Sequence, residues 1–212
     1  MTIGRGYDPR MSILPVVLER PSGGVRLEPL DHRHVPELLK VAHDPAIWTW
    51  WSIPPLTTHE RMAEWVAKAL ANRDAGTEAP FAVIHRPTGA VAGCTRYMDI
   101  HEADRWLEIG WTWYGTAYQR TGVNTESKYL LLRHAFETLG MVRVQLKTDA
   151  RNQRSRDAIG RIGARYEGTL RRVKKLHTGF IRDTAVYSIL DEEWPSVKQR
   201  LEEMMQPRSP RR

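Results

Sequence analysis

Tyr118-Gln119-Arg120-Thr121-Gly122-Val123-Asn124-Thr125-Glu126-Ser127-Lys128 is a short polar stretch with a single glycine, and it divides two segments of opposite periodicity. Upstream, Trp106-Leu107-Glu108-Ile109-Gly110-Trp111-Thr112-Trp113-Tyr114 alternates like a strand. Downstream, Tyr129, Leu132, Phe136 and Leu139 recur at helical spacing, and Gly140 follows as a stop. The order is strand, loop, helix. Such a loop presents main-chain N–H groups at a helix N-terminus, where the partial positive charge favours an anion such as a phosphate. Gly122 lets the main chain turn and approach a ligand closely. Asn124 is a residue type that caps helices and can turn toward a phosphate. Arg120, Lys128 and, further on, Arg156 suit phosphates, and suit a solvated face equally well. Neither G-x-G-x-x-G nor G-x-x-x-x-G-K-[ST] occurs anywhere in the chain, so this is no dinucleotide fingerprint and no P-loop.

The 212 residues suffice for one domain with a substantial core. At 41% hydrophobic and 27% charged, the composition is that of a globular chain. No apolar run approaches the ~18 residues of a membrane span, and no continuous apolar signal segment opens the sequence, so no membrane partner is expected. The lone Cys94 excludes an internal disulfide, fits a reducing, cytoplasmic setting, and reads as buried and inert. A net charge of +7 attracts polyanions in general. Part of it belongs to the tail Pro207-Arg208-Ser209-Pro210-Arg211-Arg212, which reads as disordered. No RNA- or DNA-binding motif accompanies it, so nucleic acid is not an expected partner. His32-x-His34 is the one close histidine pair, with no cysteine or acidic cluster beside it; no metal is expected.

Outward from the central stretch, Ile13–Leu18 and Val25–Leu30 flank Pro21-Ser22-Gly23-Gly24 as a hairpin at a sheet edge. Asp31 is placed to cap a helix bearing Val35, Leu38, Leu39 and Ala42, and Thr57-x-x-Glu60 is a capping-box pattern before the stripe Met62, Trp65, Val66, Ala69, Leu70. Between these helices stands Ile47-Trp48-Thr49-Trp50-Trp51-Ser52-Ile53-Pro54-Pro55. Its three tryptophans either plug one end of the core or line a pocket or interface. Phe81–His85 and Ala90–Tyr97 form a second hairpin about Pro87-Thr88-Gly89. Val142–Thr148 alternates as a strand, Asn152-Gln153-Arg154-Ser155 opens a short helix, and Arg165–Leu170 and Thr184–Leu190 read as the last strands before a closing helix from Glu192 to Met205. Early antiparallel strands followed by a strand–helix–strand unit give an α+β sandwich. The organisation expected is an N-terminal extension and edge strand over 1–24, one domain over 25–205, and a basic tail over 206–212.

The pattern Gln119-x-x-Gly122-x-Asn124 resembles the pyrophosphate loop of the GNAT acyltransferase superfamily, Q/R-x-x-G-x-G/A, with Asn124 departing from the final Gly or Ala. Extended through Leu131-Leu132-Arg133-His134-Ala135-Phe136-Glu137, the segment is similar to the ribosomal-protein N-terminal acetyltransferase (RimJ/RimL-like) branch, and the agreement runs over about residues 25–200. The resemblance implies a mostly antiparallel sheet of about seven strands flanked by helices, with a splayed central strand pair. It implies acetyl-CoA as cosubstrate and direct attack by a primary amine in a ternary complex. The acceptor would be a protein N-terminus, a lysine or a small molecule. Gln119, Arg120, Thr121, Gly122, Val123, Asn124 and Thr125 would hold the diphosphate, and the main chain of Trp111, Thr112 and Trp113 would pair with the pantetheine arm and polarise the thioester carbonyl. Asn152 would bond an amide of that arm and Ser155 would donate to the departing thiolate; both equally read as helix capping. The resemblance also favours an acceptor site at Trp48, Trp50 and Trp51. The helix opened by Asn152 lacks the tyrosine that many such enzymes use as acid.

Glu108, on the central strand among aromatics, is the candidate general base, its pKa raised by partial desolvation; a strand carboxylate paired to Arg96 or Arg143 is the alternative. The late strands and the tryptophans are where a homodimer would form. Two rival classes remain on the same fold: a basic module binding RNA or the ribosome, and a CoA sensor without turnover.

Overall fold

The computed structural model describes residues 15–206. Readings that fall on 1–14 and 207–212, including the loose N-terminal segment, the Ile13-Leu14 start of the first hairpin and the basic tail, lie outside the described residues.

Strand β1 (Leu18–Glu19) returns antiparallel onto β2 (Val25–Pro29), pairing Leu18 with Leu27. Asp31 then caps a 3₁₀ turn through its acceptance from Arg33 N, and the turn feeds α1 (Val35–Val41). Helix α2 (His59–Asp74) starts one residue later than the capping-box pattern suggests, since Thr58 rather than Thr57 accepts from Arg61 N. Strands β3 (Ala79–His85) and β4 (Ala90–His101) follow as a hairpin, and β5 (Trp106–Tyr114) returns along β4. The central helix α3 (Val123–Arg133) runs into a π-turn over His134–Thr138, with Leu139 N donating to His134 O. Beyond it lie β6 (Arg143–Asp149), α4 (Gln153–Arg161), β7 (Arg165–Lys175), β8 (Ile181–Leu190) and α5 (Trp194–Met204).

One sheet holds all eight strands in the order β1-β2-β3-β4-β5-β6-β8-β7, and every neighbouring pair but one is antiparallel. The count of about seven becomes eight with the two-residue β1. One face packs Leu107, Ile109, Val144 and Leu146 against Tyr129, Leu130 and Leu131 of α3 and Leu201 of α5. The other packs Cys94, Trp113 and Ala82 beneath Leu38 of α1 and Met62, Val66 and Ala69 of α2. Cys94 is fully buried and its thiol is pushed up to about 12 by desolvation, as an inert core residue should be. No helix among the described residues is long and apolar enough to cross a membrane.

The exceptional pair is the parallel one. β5 and β6 pair only at Trp106↔Arg143, Leu107↔Val144 and Glu108↔Gln145. Beyond Glu108 the strands part, and the expected splay is found there.

Candidate active site

The parting strands open a cleft of ≈1150 Å³. Its floor is β5 from Glu108 to Tyr114 and β6 from Leu146 to Thr148; α3 and α4 stand at one end, and the 50–52 segment and β7 at the other. A bulge bends β5 here: Cys94 pairs with Trp113 but Arg96 with Gly110, so Trp111 and Thr112 face a single residue of β4. Trp111 sits at φ 49, a left-handed conformation that costs a non-glycine residue about 1–2 kcal/mol. Its ring is clamped by neighbours that hold the strain in place: Trp51 at 5.2 Å, Trp65 at 6.4 Å, and the Arg96 guanidinium at 5.0 Å. Thr112 accepts a hydrogen bond from Lys128 Nζ at 2.8 Å and shares another with Thr95 at 2.8 Å, so the bulge is pinned to α3.

At the α3 end, Gln119, Arg120, Thr121, Gly122, Asn124 and Thr125 line the cleft. Glu126 N is the first amide to bond back into the helix, to Gly122 O, which leaves the N–H groups of Asn124 and Thr125 ahead of the ladder. Gly122 is itself the N-cap, at φ −70 and ψ −13, so Asn124 is the second helical residue and not the cap. The glycine is not required by its dihedrals, and the left-handed turn falls on Arg120 at φ 61. What Gly122 provides is room, since a Cβ placed there meets no atom within 4 Å. Val123 departs from its neighbours: its side chain is core and its N–H donates to Thr121 Oγ1. Gln119 acts within the protein, donating to Tyr114 O at 3.0 Å and accepting from Arg154 at 2.8 Å, which sets the loop against both β5 and α4.

Arg154 and Arg161, seven residues apart on one face of α4, both border this end, and Arg161 donates to Thr125 Oγ1 at 3.2 Å. Sequence reading overlooked both, although their helical spacing was a usable signal. Arg156 points elsewhere, bonding Tyr187 Oη and Ala150 O and lying outside the cleft lining. Of the two readings of Asn152, the cap is found, Asn152 Oδ1 accepting from Ser155 N at 3.1 Å, and both Asn152 and Ser155 line the cleft.

Glu108 is 6% exposed and faces the cleft, on the opposite side of β5 from Leu107 and Ile109. Its partner is neither Arg96, which is held by Glu78, nor Arg143, which is held by Glu167. Lys147 Nζ lies 2.8 Å from Oε2, and Gln145 donates to the same oxygen at 3.4 Å. Oε1 has no hydrogen-bond donor among the described residues. Burial is the largest influence on the carboxyl and raises its pKa, outweighing the Lys147 contact that lowers it. Lys128, also buried, has its ammonium beside no carboxylate among the described residues, and desolvation lowers its pKa to about 7.

The tryptophans of the α1–α2 connection divide. Trp48 is fully buried, donates from Nε1 to Ala42 O, and lies outside the cleft, so it is a core plug and not a cleft residue. Trp50 and Trp51 line the cleft, with Trp51 packed against Trp48 at 5.3 Å. The β7–β8 hairpin holds this segment: His177 N donates to Trp51 O at 3.3 Å, and Arg182 to Trp50 O at 3.3 Å. Among the described residues no three His, Cys, Asp or Glu side chains gather in a metal-binding group.

Residues 25–165 match the Acetyltransferase (GNAT) domain family. Among curated relatives, the Bacillus subtilis (strain 168) protein named "Putative ribosomal N-acetyltransferase YdaF" is 30% identical over 110 residues, 52% of this chain; the match spans 59% of that relative's length. A crystal structure of a GCN5-related N-acetyltransferase from Brucella melitensis superimposes with a TM-score of 0.86 at 32% identity, covering 94% of this chain and 89% of that one. Mycobacterium smegmatis RimJ, solved in complex with CoA-disulfide, shares the fold with a TM-score of 0.76 at 23% identity, over 89% of this chain and 93% of that one.

Proposed function

Since the chain belongs to the GNAT acetyltransferase family, we propose that it transfers an acetyl group from acetyl-CoA to a primary amine, by direct attack within a ternary complex. The observation that carries this reading is the split of β5 from β6 after Glu108, with the open N-terminus of α3 at one end of the resulting cleft. The diphosphate belongs at Arg120 to Thr125, where main-chain donors, the helix dipole and the guanidinium groups of Arg154 and Arg161 converge. The room beside Gly122 fits a ligand in close approach. The pantetheine arm belongs between the parted strands, whose unpaired main-chain groups match its amides, with the Asn152 side chain beside them. The RimJ structure, with its CoA-disulfide, supports the same assignment by fold.

In this reading the acceptor enters from the Trp50–Trp51 side. Its nitrogen attacks the thioester carbon, the C–S bond breaks, and the nitrogen's proton leaves to Glu108 Oε1, directly or through water. The bulge at Trp111–Thr112 aims a main-chain N–H at the carbonyl oxygen, where negative charge develops. Ser155 donates to the departing thiolate. The Bacillus subtilis relative's name favours a ribosomal-protein N-terminus as acceptor, with lysines and small amines as the alternatives. A reducing cytoplasm is the setting that suits this cosubstrate and the lone buried Cys94.

The test is a panel of amines and N-terminal peptides incubated with acetyl-CoA, followed by release of free CoA thiol. Thiol release that depends on an amine supports the transferase. Binding of CoA with no release from any amine turns the assignment to a sensor. Failure to bind CoA removes the loop assignment as well.

A further inference from the structure

Arg182 lines the cleft beside Trp50, and among the described residues it makes no direct ion pair. By register, Glu108 sits opposite Gln145, and Gln145, Lys147 and Asp149 sit opposite Ser188, Val186 and Thr184 of β8. Arg182 lies two residues beyond Thr184, so it shares the sheet face that carries Glu108. Its Nε donates to Thr184 Oγ1 at 3.1 Å and its Nη1 to Trp50 O at 3.3 Å. No carboxylate among the described residues lies within 4 Å of it, and the nearby acids are already engaged. Asp149 takes both Nε and Nη2 of Arg151, at 3.0 and 2.8 Å, while Glu108 and Asp99 share Lys147 at 2.8 and 3.3 Å. Burial lowers the pKa of Arg182 against the pull of the distant acids.

A half-buried guanidinium that lacks a direct ion partner gains from an anion able to reach it. Trp50, Trp51 and Trp111 are walls that alone would suit a cationic group as well as an apolar one. Arg182 and Lys174 decide against a polycation, because Lys147 leaves one charge of Asp99 and Glu108 over and these two cations exceed it by one.

We propose that Arg182 binds a carboxylate of the acceptor, so that the preferred substrates are amines carrying a carboxylate: free amino acids, or peptide N-termini with an acidic residue close to the first. This rests on the transferase reading above. A guanidinium fork matches a carboxylate in shape, and one positive charge matches one negative.

The experiment uses the full chain, acetyl-CoA and acceptors in matched pairs: an amino acid against its amide, and a peptide with glutamate at the second or third position against its glutamine counterpart. Thiol release is read as kcat/KM for each. The unaltered protein is expected to favour the acid of each pair by about 10- to 100-fold, the worth of one charge-assisted hydrogen-bond pair. The amino-acid and peptide arms tell which source supplies the carboxylate. Arg182→Gln is expected to raise KM for acids by a similar factor over any rise for amides, leaving KM for acetyl-CoA unchanged, with Arg182→Lys intermediate.

Equal kcat/KM for acid and amide in the unaltered protein overturns the proposal without touching the transferase, and needs no variant. So does an Arg182→Gln that weakens both members of a pair alike, the result expected if Arg182 only fastens the Trp50 segment. Absence of thiol release from every acceptor removes the transferase reading and the proposal together.

Discussion

Replacing Gly122 by leucine separates ligand binding from folding more sharply than any other change in this protein. The main chain at 122 is in the ordinary helical region and a Cβ there touches nothing within 4 Å, so the substitution does not strain the backbone and its Cβ meets no protein atom. The folding penalty is confined to a poorer N-cap, about 1 kcal/mol or less, equivalent to a Tm shift of roughly 2–4 °C in a domain of this size. In the proposed assignment the same empty space is where a diphosphate approaches the first amides of α3. If the leucine displaces two charge-assisted hydrogen bonds worth about 1.5–3 kcal/mol each, the loss of roughly 3–6 kcal/mol weakens CoA binding by about 10²- to 10⁴-fold. Calorimetric titration with CoA, paired with thermal melts, reads both quantities. Gly163→Ala is the converse control: it sits at φ +100 and its added Cβ would lie 2.9 Å from Val197 Cγ2, away from the cleft, so Tm should fall with CoA affinity intact. A Gly122→Leu protein that melts normally and binds CoA like the parent refutes the loop assignment.

Glu108→Gln should lower kcat by about 10²- to 10⁴-fold with CoA affinity unchanged. In the parent protein the acidic limb of kcat/KM should lie above the ordinary glutamate value of 4.5, because burial raises this carboxyl, and the variant should lack that limb; an unaltered pH–rate profile removes Glu108 as base. Lys128 binds fewer protons folded than unfolded between about 7 and its ordinary 10.5, so it makes stability climb as pH rises through that window. Melts of Lys128→Met across that range should lack the climb, and an identical pH dependence contradicts the lowered pKa of the buried amine. Trp48→Ala should cost about 3–5 kcal/mol of stability, whereas Trp51→Ala should act chiefly on acceptor KM; equal effects on both readouts would contradict the division of the aromatic segment.

Most of the architecture was legible because its strands alternate and its helices carry apolar stripes. β7 was read only to Leu170 because Arg171 to Lys175 shows no apolar alternation; those residues extend an exposed edge strand that burial does not pattern. The cap of α2 slipped by one residue because Thr57 and Thr58 are chemically equivalent and only geometry chooses. The loop was legible as the opening of α3, but the identity of its cap was not: the asparagine looked the better cap, and the glycine holds the place. Glu108 drew attention for its aromatic neighbours, yet its ion partner, Lys147, depends on a parallel register across a helical crossover, which local spacing does not encode. Trp48 and Trp51 are indistinguishable as letters; a 3₁₀ turn over Pro45–Trp48 sends one inward and leaves the other at the cleft. Arg182 gave no signal because its place beside Trp50 rests on a contact across 132 residues of sequence.

The three-rung seam joining β5 to β6 leaves two blocks of sheet, five strands and three, laced at one end only. Along the open stretch each block shows a bare rim of amides and carbonyls, the kind of border that otherwise recruits stray β-chains. Any occupant able to bond both rims would act as a zipper for the whole body, and its departure would loosen the same body. Resistance to heat and proteolysis should therefore follow how well the crevice is filled.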